Sequence, residues 1–118
     1  MASIMVVDDS QFMRMRVANF LTQHGYDIIE AEDGEEAVQT YRLVKPDVVL
    51  MDMAMPRKNG RIALSEILEF DPQAKVIMLT ALGQQAIMLR ALQAGAKDFL
   101  VKPCEPDKIL AAVQKVLR

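Results

Sequence analysis

Hydrophobic residues along the chain form five short runs, separated by longer segments in which they recur at every third or fourth position. Four of the runs are continuous rather than alternating, which is typical of strands that are covered on both faces. The runs lie at residues 4–7, 28–29, 48–51, 76–79 and 99–101. We therefore predict five strands with helices between and after them.

The helical segments have recognisable starts and ends. Ser10 is a favourable N-cap for the first helix, and Gly25 ends it. The other helices are expected at about 35–44, after Asn59 and Gly60, at about 84–94 and after Pro106. The third helix carries four apolar residues at helical spacing, Ile62, Leu64, Ile67 and Leu68.

Regular alternation of strands and helices is compatible with only a few folds. Five strand–helix units predict an α/β domain in which a parallel sheet is covered by helices on both faces. Connections between parallel strands are almost always right-handed, which limits the possible topologies. We therefore predict the flavodoxin-like strand order 2-1-3-4-5, in one domain over residues 1–118.

Composition restricts the classes of function. A net charge of −2 gives no strong attraction for nucleic acid, so no direct nucleic-acid partner is expected. No signal-peptide pattern and no apolar run of about 18 residues is present, so no membrane partner is expected. Cys104 is the single cysteine, which favours a reducing compartment. We expect a cytoplasmic location.

Polar residues that a buried strand would not favour follow four of the five runs. These are Asp8 and Asp9 after the first, Asp52 after the third, Thr80 after the fourth and Lys102 after the fifth. Taken singly, each is more often a turn or surface residue than a functional one. The carboxyl ends of parallel strands meet at one edge of the sheet, where open α/β sheets bind ligands. Together the five residues indicate a site at that edge.

Three carboxylates brought together repel one another, at a cost of about 4 kcal/mol per pair at about 4 Å. A hard divalent cation with oxygen ligands would offset this cost, and Mg²⁺, with Mn²⁺ as an alternative, is the expected ion. A carboxylate can also act as a nucleophile toward phosphorus. Asp52 stands alone at the end of the central strand and suits that role, whereas the pair Asp8 and Asp9 suits the metal. Lys102 would supply a positive charge.

The motifs at these strand ends identify a family. They are Val7-Asp8-Asp9-Ser10, Asp52-Met53-Ala54-Met55-Pro56, Asn59-Gly60, Thr80-Ala81 and Asp98-Phe99-Leu100-Val101-Lys102-Pro103. In this order and spacing they resemble the receiver domains of two-component response regulators, in particular the CheY-like single-domain type. The resemblance covers essentially the whole chain.

This resemblance implies roles for the metal-binding residues. Asp52 matches the phospho-acceptor, which would also contact the metal. Asp9 matches a direct Mg²⁺ ligand and Asp8 a ligand acting through water, while the backbone carbonyl of Ala54 would be the third protein ligand.

It also implies a switch. Thr80 matches the hydroxyl that binds the phosphoryl group, Lys102 the cation that pairs with it, and Phe99 the aromatic ring that moves inward on activation. The bond between Lys102 and Pro103 is often cis in this family. The surface of the fourth helix, fifth strand and fifth helix would then change.

Partners follow from the same resemblance. The phosphodonor would be a histidine kinase or a phosphotransfer protein, with a small acyl phosphate as a substitute. Residues 12–16 and 81–85 resemble chemotaxis-type members, which implies a flagellar motor switch protein as the downstream target. The chain would be a signalling protein and not an enzyme, apart from phosphorylation and dephosphorylation of its own Asp52.

Three alternatives remain open from the sequence. One is a receiver domain that belongs to a longer regulator, such as a transcription factor. Another is a Mg²⁺-dependent phosphatase with Asp52 as nucleophile, although Ala54 stands where such an enzyme usually carries its acid–base aspartate. The last is an FMN-binding module of the same topology, although Asp8 and Asp9 would repel its phosphate.

Overall fold

The computed structural model describes residues 1–55, 57–81 and 85–118, with Gln85 described by its backbone alone. Residue 56 of the third-strand motif and residues 82–84, which belong to the chemotaxis-type segment and the predicted start of the fourth helix, lie outside them. The elements are β1 (Ser3–Val7), α1 (Gln11–Gln23), β2 (Asp27–Ala31), α2 (Gly34–Val44), β3 (Val48–Asp52), α3 (Gly60–Phe70), β4 (Val76–Ala81), α4 (Gln85–Gln93), β5 (Asp98–Lys102) and α5 (Pro106–Leu117).

The described strands form one parallel sheet in the order β2-β1-β3-β4-β5, which confirms the predicted fold. Two apolar layers lie on its faces. One packs α2, α3 and α4 against the sheet, and the other packs α1 and α5 against the opposite face. Side chains alternate between these layers along each central strand, and burying each large one contributes about 1.5–3 kcal/mol. This explains why the central runs are continuously hydrophobic.

Side-chain caps fix the starts of three helices. The hydroxyl of Ser10 accepts a hydrogen bond from the amide of Met13, which confirms the predicted start of α1. Asp33 caps α2, so that helix begins at Gly34, one residue before the predicted position. Asn59 caps α3. Each such cap contributes about 1 kcal/mol.

Two details differ from a simple reading of the pattern. Ile62 shares the helical spacing of α3 but is exposed, because Gly60, Ala63, Leu64 and Ile67 occupy the inward positions. The strand β5 is only half-buried at every position, although its run is continuous, because it lies at an edge of the sheet. Among the described helices, none combines the length and apolar character that crossing a membrane requires.

Candidate functional site

Three carboxylates converge at the carboxyl edge of the sheet. The strands β1 and β3 are neighbours, and their register pairs Val7 with Met51, so the next residues are Asp8 and Asp52. Asp9 follows in the loop after β1. One oxygen from each of the three carboxylates lies within 4.8 Å of the others. Asp8 and Asp52 are buried, with exposed fractions of 7% and 8%, whereas Asp9 is exposed.

Lys102 reaches this cluster from the end of β5, across the intervening strand β4. Its Nζ lies 3.0 Å from Oδ2 of Asp8 and 3.2 Å from Oδ2 of Asp52. The bond between Lys102 and Pro103 is cis, as is frequent in the family that the sequence resembles. Partial burial alone would lower the pKa of Lys102, but the two carboxylates raise it above its ordinary value. The ammonium group therefore stays charged and offsets part of the repulsion.

The electrostatics of Asp52 depend on both burial and charge. Burial raises the pKa of its carboxyl, the Lys102 ammonium opposes that shift, and the neighbouring Asp8 adds to it. The amide of Ala54 donates a hydrogen bond to the Asp52 carboxylate and also favours its charged form. A divalent cation at this place would favour that form further.

The loop after β3 is fixed by close contact with α3. The amide of Gly60 donates to the carbonyl of Met53 at 2.8 Å. A Cβ atom at Gly60 would overlap the backbone carbonyl oxygen of Asp52. The first residue of α3 therefore packs directly on the backbone of the predicted phospho-acceptor, and only glycine leaves room for it.

The start of α2 holds the other end of the same loop. The side chain of Asp33 is buried and forms an ion pair with Arg57. Burial alone would raise the pKa of Asp33, but hydrogen bonds from the Glu36 amide and Arg57 lower it. A Cβ at Gly34 would overlap the carbonyl of Lys58. This arrangement anchors the loop that carries Ala54.

Thr80 and Phe99 lie on the same side of the sheet. Thr80 is 1% exposed and follows Leu79, the residue that pairs with Asp52 across β3 and β4. Phe99 is half-buried, pairs with Met78 and packs in the apolar layer beneath α2, α3 and α4. Met78 belongs to the same layer, and Thr80 lies two residues further along the strand. Both predicted switch residues thus face one layer.

The donor chemistry of the cluster fits the predicted ion. Its ligands are carboxylate oxygens, which Mg²⁺ prefers, and the lysine and backbone amides nearby are donors rather than competing ligands. Opposite ligands of Mg²⁺ lie about 4.2 Å apart, so carboxylate oxygens within 4.8 Å of one another are near the spacing that the ion requires. Asp8, Asp9 and Asp52 can therefore hold Mg²⁺ or Mn²⁺ with modest movement of their side chains.

Comparison with known proteins agrees with this arrangement. The family described as the response regulator receiver domain matches residues 4–114. The chain belongs to the receiver domain family. As a receiver domain of CheY type, it is a component of two-component signalling, and such domains bind Mg²⁺.

Several known proteins are similar to this chain over almost its whole length. Chemotaxis protein CheY of Thermotoga maritima is 47% identical, covering 96% of this chain and 95% of its own. Protein CcdB of Bacillus subtilis is 51% identical, covering 99% and 98%. The structure of the CheX–CheY–BeF3–Mg²⁺ complex from Borrelia burgdorferi is also similar. It matches with a TM-score of 0.94 at 40% identity, covering 99% of this chain and 90% of that one.

Every predicted site residue lies at the carboxyl edge or on the strands that lead to it. The structure brings Asp8, Asp9, Asp52 and Lys102 together, with Thr80 one strand away. Two residues that contact the backbone of the site directly were not predicted from the sequence. Arg14 binds the backbone of Asp8, and Gly60 packs on the backbone of Asp52. Gly60 had a visible signal in its place after the capping Asn59, whereas a helical arginine carries none.

Proposed function

We propose that residues 1–118 form one receiver domain that accepts a phosphoryl group on Asp52 from the phosphohistidine of a histidine kinase or phosphotransfer protein. The observation that best supports this proposal is the convergence of three carboxylates with Lys102 at one edge of the sheet. Transfer of a phosphoryl group from this donor to Asp52 requires a carboxylate nucleophile, a cation site and a fixed positive charge.

In the transfer, a carboxylate oxygen of Asp52 attacks phosphorus. The O–P bond forms as the N–P bond to the donor imidazole breaks, and the released imidazole takes a proton from water. Bound Mg²⁺ would neutralise charge on the phosphoryl oxygens. Asp9 and the Ala54 carbonyl would hold this ion directly together with Asp52, and Asp8 would hold it through water.

After transfer, Thr80 and Lys102 stabilise the phosphorylated state. A hydrogen bond to a charged group contributes about 1.5–3 kcal/mol, so the two contacts together supply up to about 6 kcal/mol. Moving a two-state equilibrium from 1:99 to 99:1 needs about 5.5 kcal/mol. The margin is narrow, so a partner that prefers the phosphorylated form completes the shift.

The downstream partner recognises the phosphorylated state on the face formed by α4, β5 and α5. Movement of Thr80 toward the phosphoryl group vacates space in the layer that Phe99 faces, and Phe99 turns into it. Relatives named as chemotaxis proteins support a flagellar motor switch protein as the downstream partner. The similar CheY from Borrelia burgdorferi, in complex with CheX and Mg²⁺, supports a protein partner and the proposed ion.

Intact-mass measurement after treatment with acetyl phosphate and Mg²⁺ tests the proposal. The parent should gain one phosphoryl group, and the gain should disappear with EDTA or in Asp52→Asn. The matched control is Asp27→Asn, which changes an exposed aspartate at the start of β2 and should leave the gain intact. Equal phosphorylation of Asp52→Asn and the parent would contradict the proposal. Repeated turnover of a phosphomonoester would favour the phosphatase alternative.

A further inference from the structure

Asp8 is held at four points by four different parts of the chain. Its amide donates to the carbonyl of Ala31 at 3.1 Å, and its Oδ1 accepts from the amide of Ser10 at 2.9 Å. Its Oδ2 accepts from Nζ of Lys102 at 3.0 Å. The fourth contact is at the backbone, where the Asp8 carbonyl accepts from Nη1 of Arg14 at 2.7 Å.

Arg14 links this backbone carbonyl to the outer strand of the sheet. It lies in the first turns of α1, and its side chain is only 12% exposed. Its Nε lies 2.9 Å from Oε1 of Glu30 on β2. Glu30 precedes Ala31, the residue that receives the Asp8 amide. The strand β2 therefore holds Asp8 twice, once directly and once through the Arg14 guanidinium.

The contact with Lys102 is the one that the proposed reaction disturbs. Nζ of Lys102 lies between Asp8 and Asp52, and it must turn toward the phosphoryl group once Asp52 is modified. Arg14 instead binds a carbonyl oxygen that the proposed metal site does not use. Its contact survives both cation binding and phosphorylation.

We propose that Arg14, anchored by Glu30, is a positioning residue that orients the Asp8–Asp9 peptide so that both carboxylates face the cation site before the ion arrives. The inference rests on the proposed function, because it concerns the metal site of that reaction. Groups that orient metal ligands without touching the metal change affinity by about 10–100-fold when removed. The planar guanidinium makes two contacts in fixed directions, which the ammonium group of a lysine does not reproduce.

The sign of the effect separates positioning from simple charge. Arg14 is a cation that contacts the backbone of Asp8, so its charge alone opposes Mg²⁺ binding beside it. Removing the charge would therefore tighten Mg²⁺ binding, whereas losing the orientation of Asp8 and Asp9 weakens it. Arg16 is the matched control, because it lies on the same helix, is exposed and stacks over Phe12 at 5.7 Å without contacting Asp8.

The experiment measures the Mg²⁺ dissociation constant of the full chain by titration of backbone amide NMR signals, with melting temperatures recorded in parallel. We expect Arg14→Met to raise this constant by about 10–100-fold and Arg14→Lys to restore part of the loss. Glu30→Gln should give a smaller increase, because the arginine keeps a neutral acceptor. Arg16→Met should stay within about twofold of the parent.

An unchanged or lower dissociation constant in Arg14→Met overturns the inference, and so does an equal increase in Arg16→Met. Should Arg14→Met fail to fold, Arg14→Lys decides the question by the same criterion, because it keeps the charge but does not reproduce the two contacts of the guanidinium. The proposed function is judged separately by the mass gain of the parent and of Asp52→Asn. The positioning role can therefore fail while phosphorylation of Asp52 stands.

Discussion

The two halves of the carboxyl edge differ in how firmly their residues are held. The binding half, at the ends of β1 and β3, continues two strands that are buried on both faces. The responding half, formed by β4 and β5 with Thr80 and Phe99, ends in a strand that is half-buried throughout. Few buried contacts allow an element to change conformation at low cost. The proposed binding site thus lies beside the most buried strands, and the less tightly packed part of the responding half is β5.

Lys102 connects the two halves. It belongs to β5, yet its ammonium group contacts Asp8 and Asp52 in the binding half. In the proposed reaction, a change of charge on Asp52 would therefore act directly on the less buried strand, because the lysine would be drawn toward the new phosphoryl group. The comparison predicts that damage to the binding half costs stability and metal affinity, whereas damage to the responding half costs the response.

The largest effect is expected from Gly60→Ala, which breaks the binding half. The new Cβ would overlap the carbonyl oxygen of Asp52 and crowd the Cα of Met53, and both are backbone atoms that cannot turn aside. We expect a loss of about 3 kcal/mol in the free energy of unfolding, together with weaker Mg²⁺ binding. Urea denaturation and Mg²⁺ titration measure the two effects.

Ser65→Ala is the control for this substitution. It changes an exposed residue of the same helix and should alter stability by no more than about 0.5 kcal/mol. A Gly60→Ala variant as stable as the parent would show that the loop after β3 moves freely, and the contrast between the halves would disappear.

The core of the fold and the side chains that meet at its carboxyl edge could be predicted from the sequence for physical reasons. The strands β1, β3 and β4 are buried on both faces, so their hydrophobic runs were visible, and polar residues at their ends stood out. The edge strand β2 was recognised only at its centre, because it begins with the polar Asp27 and contains Glu30. Periodicity therefore located the central strands better than the edge.

The contacts that support the site could not be predicted from the hydrophobic pattern of the sequence. The contact between Arg14 and Asp8 depends on how the loop after β1 turns, and the overlap at Gly60 depends on how α3 approaches β3. The pair Asp33 and Arg57 joins two loops that are distant in the sequence. Such contacts follow from the folded arrangement and leave no periodic trace in the chain.

Phe99→Ala breaks the responding half and should have a smaller effect on stability. A fully buried phenylalanine loses about 3–5 kcal/mol on truncation, so this half-buried one should lose about 2 kcal/mol. Phosphorylation by acetyl phosphate should stay within about twofold of the parent, because the side chain does not reach the carboxylates. Binding of the phosphorylated form to its downstream partner should weaken.

Backbone amide NMR spectra before and after phosphorylation check this without a known partner. The parent should show shifts along β5 and α5 that Phe99→Ala largely loses. Leu89→Ala, at an exposed position of α4, is the control and should keep the β5 shifts. Full shifts in Phe99→Ala would show that the response does not pass through this ring.

Tyr41→Phe has the smallest expected effect and sharpens the comparison, because it acts at the opposite edge of the sheet. The hydroxyl of Tyr41 donates to Oδ2 of Asp71 at 2.7 Å. This bond, with a second from the Gln73 amide, lowers the pKa of Asp71. Asp71 is partly exposed, so water screens the pair and the bond should contribute about 1 kcal/mol.

The sign of the pH dependence follows from that lowered pKa. A carboxyl whose pKa is lower in the folded state contributes stability above its unfolded pKa of about 3.9, and the contribution is lost as pH falls through the folded value. The stability difference between parent and Tyr41→Phe should therefore be constant from pH 7 to about pH 5 and shrink below about pH 4. Urea denaturation across this range measures this stability difference, and the same substitution in an Asp71→Asn background should show no pH dependence.

Mg²⁺ affinity and the β5 shifts of Tyr41→Phe should match the parent, because the pair of Tyr41 and Asp71 touches neither half of the carboxyl edge. A change in either would mean that the two edges are coupled through α2 and α3.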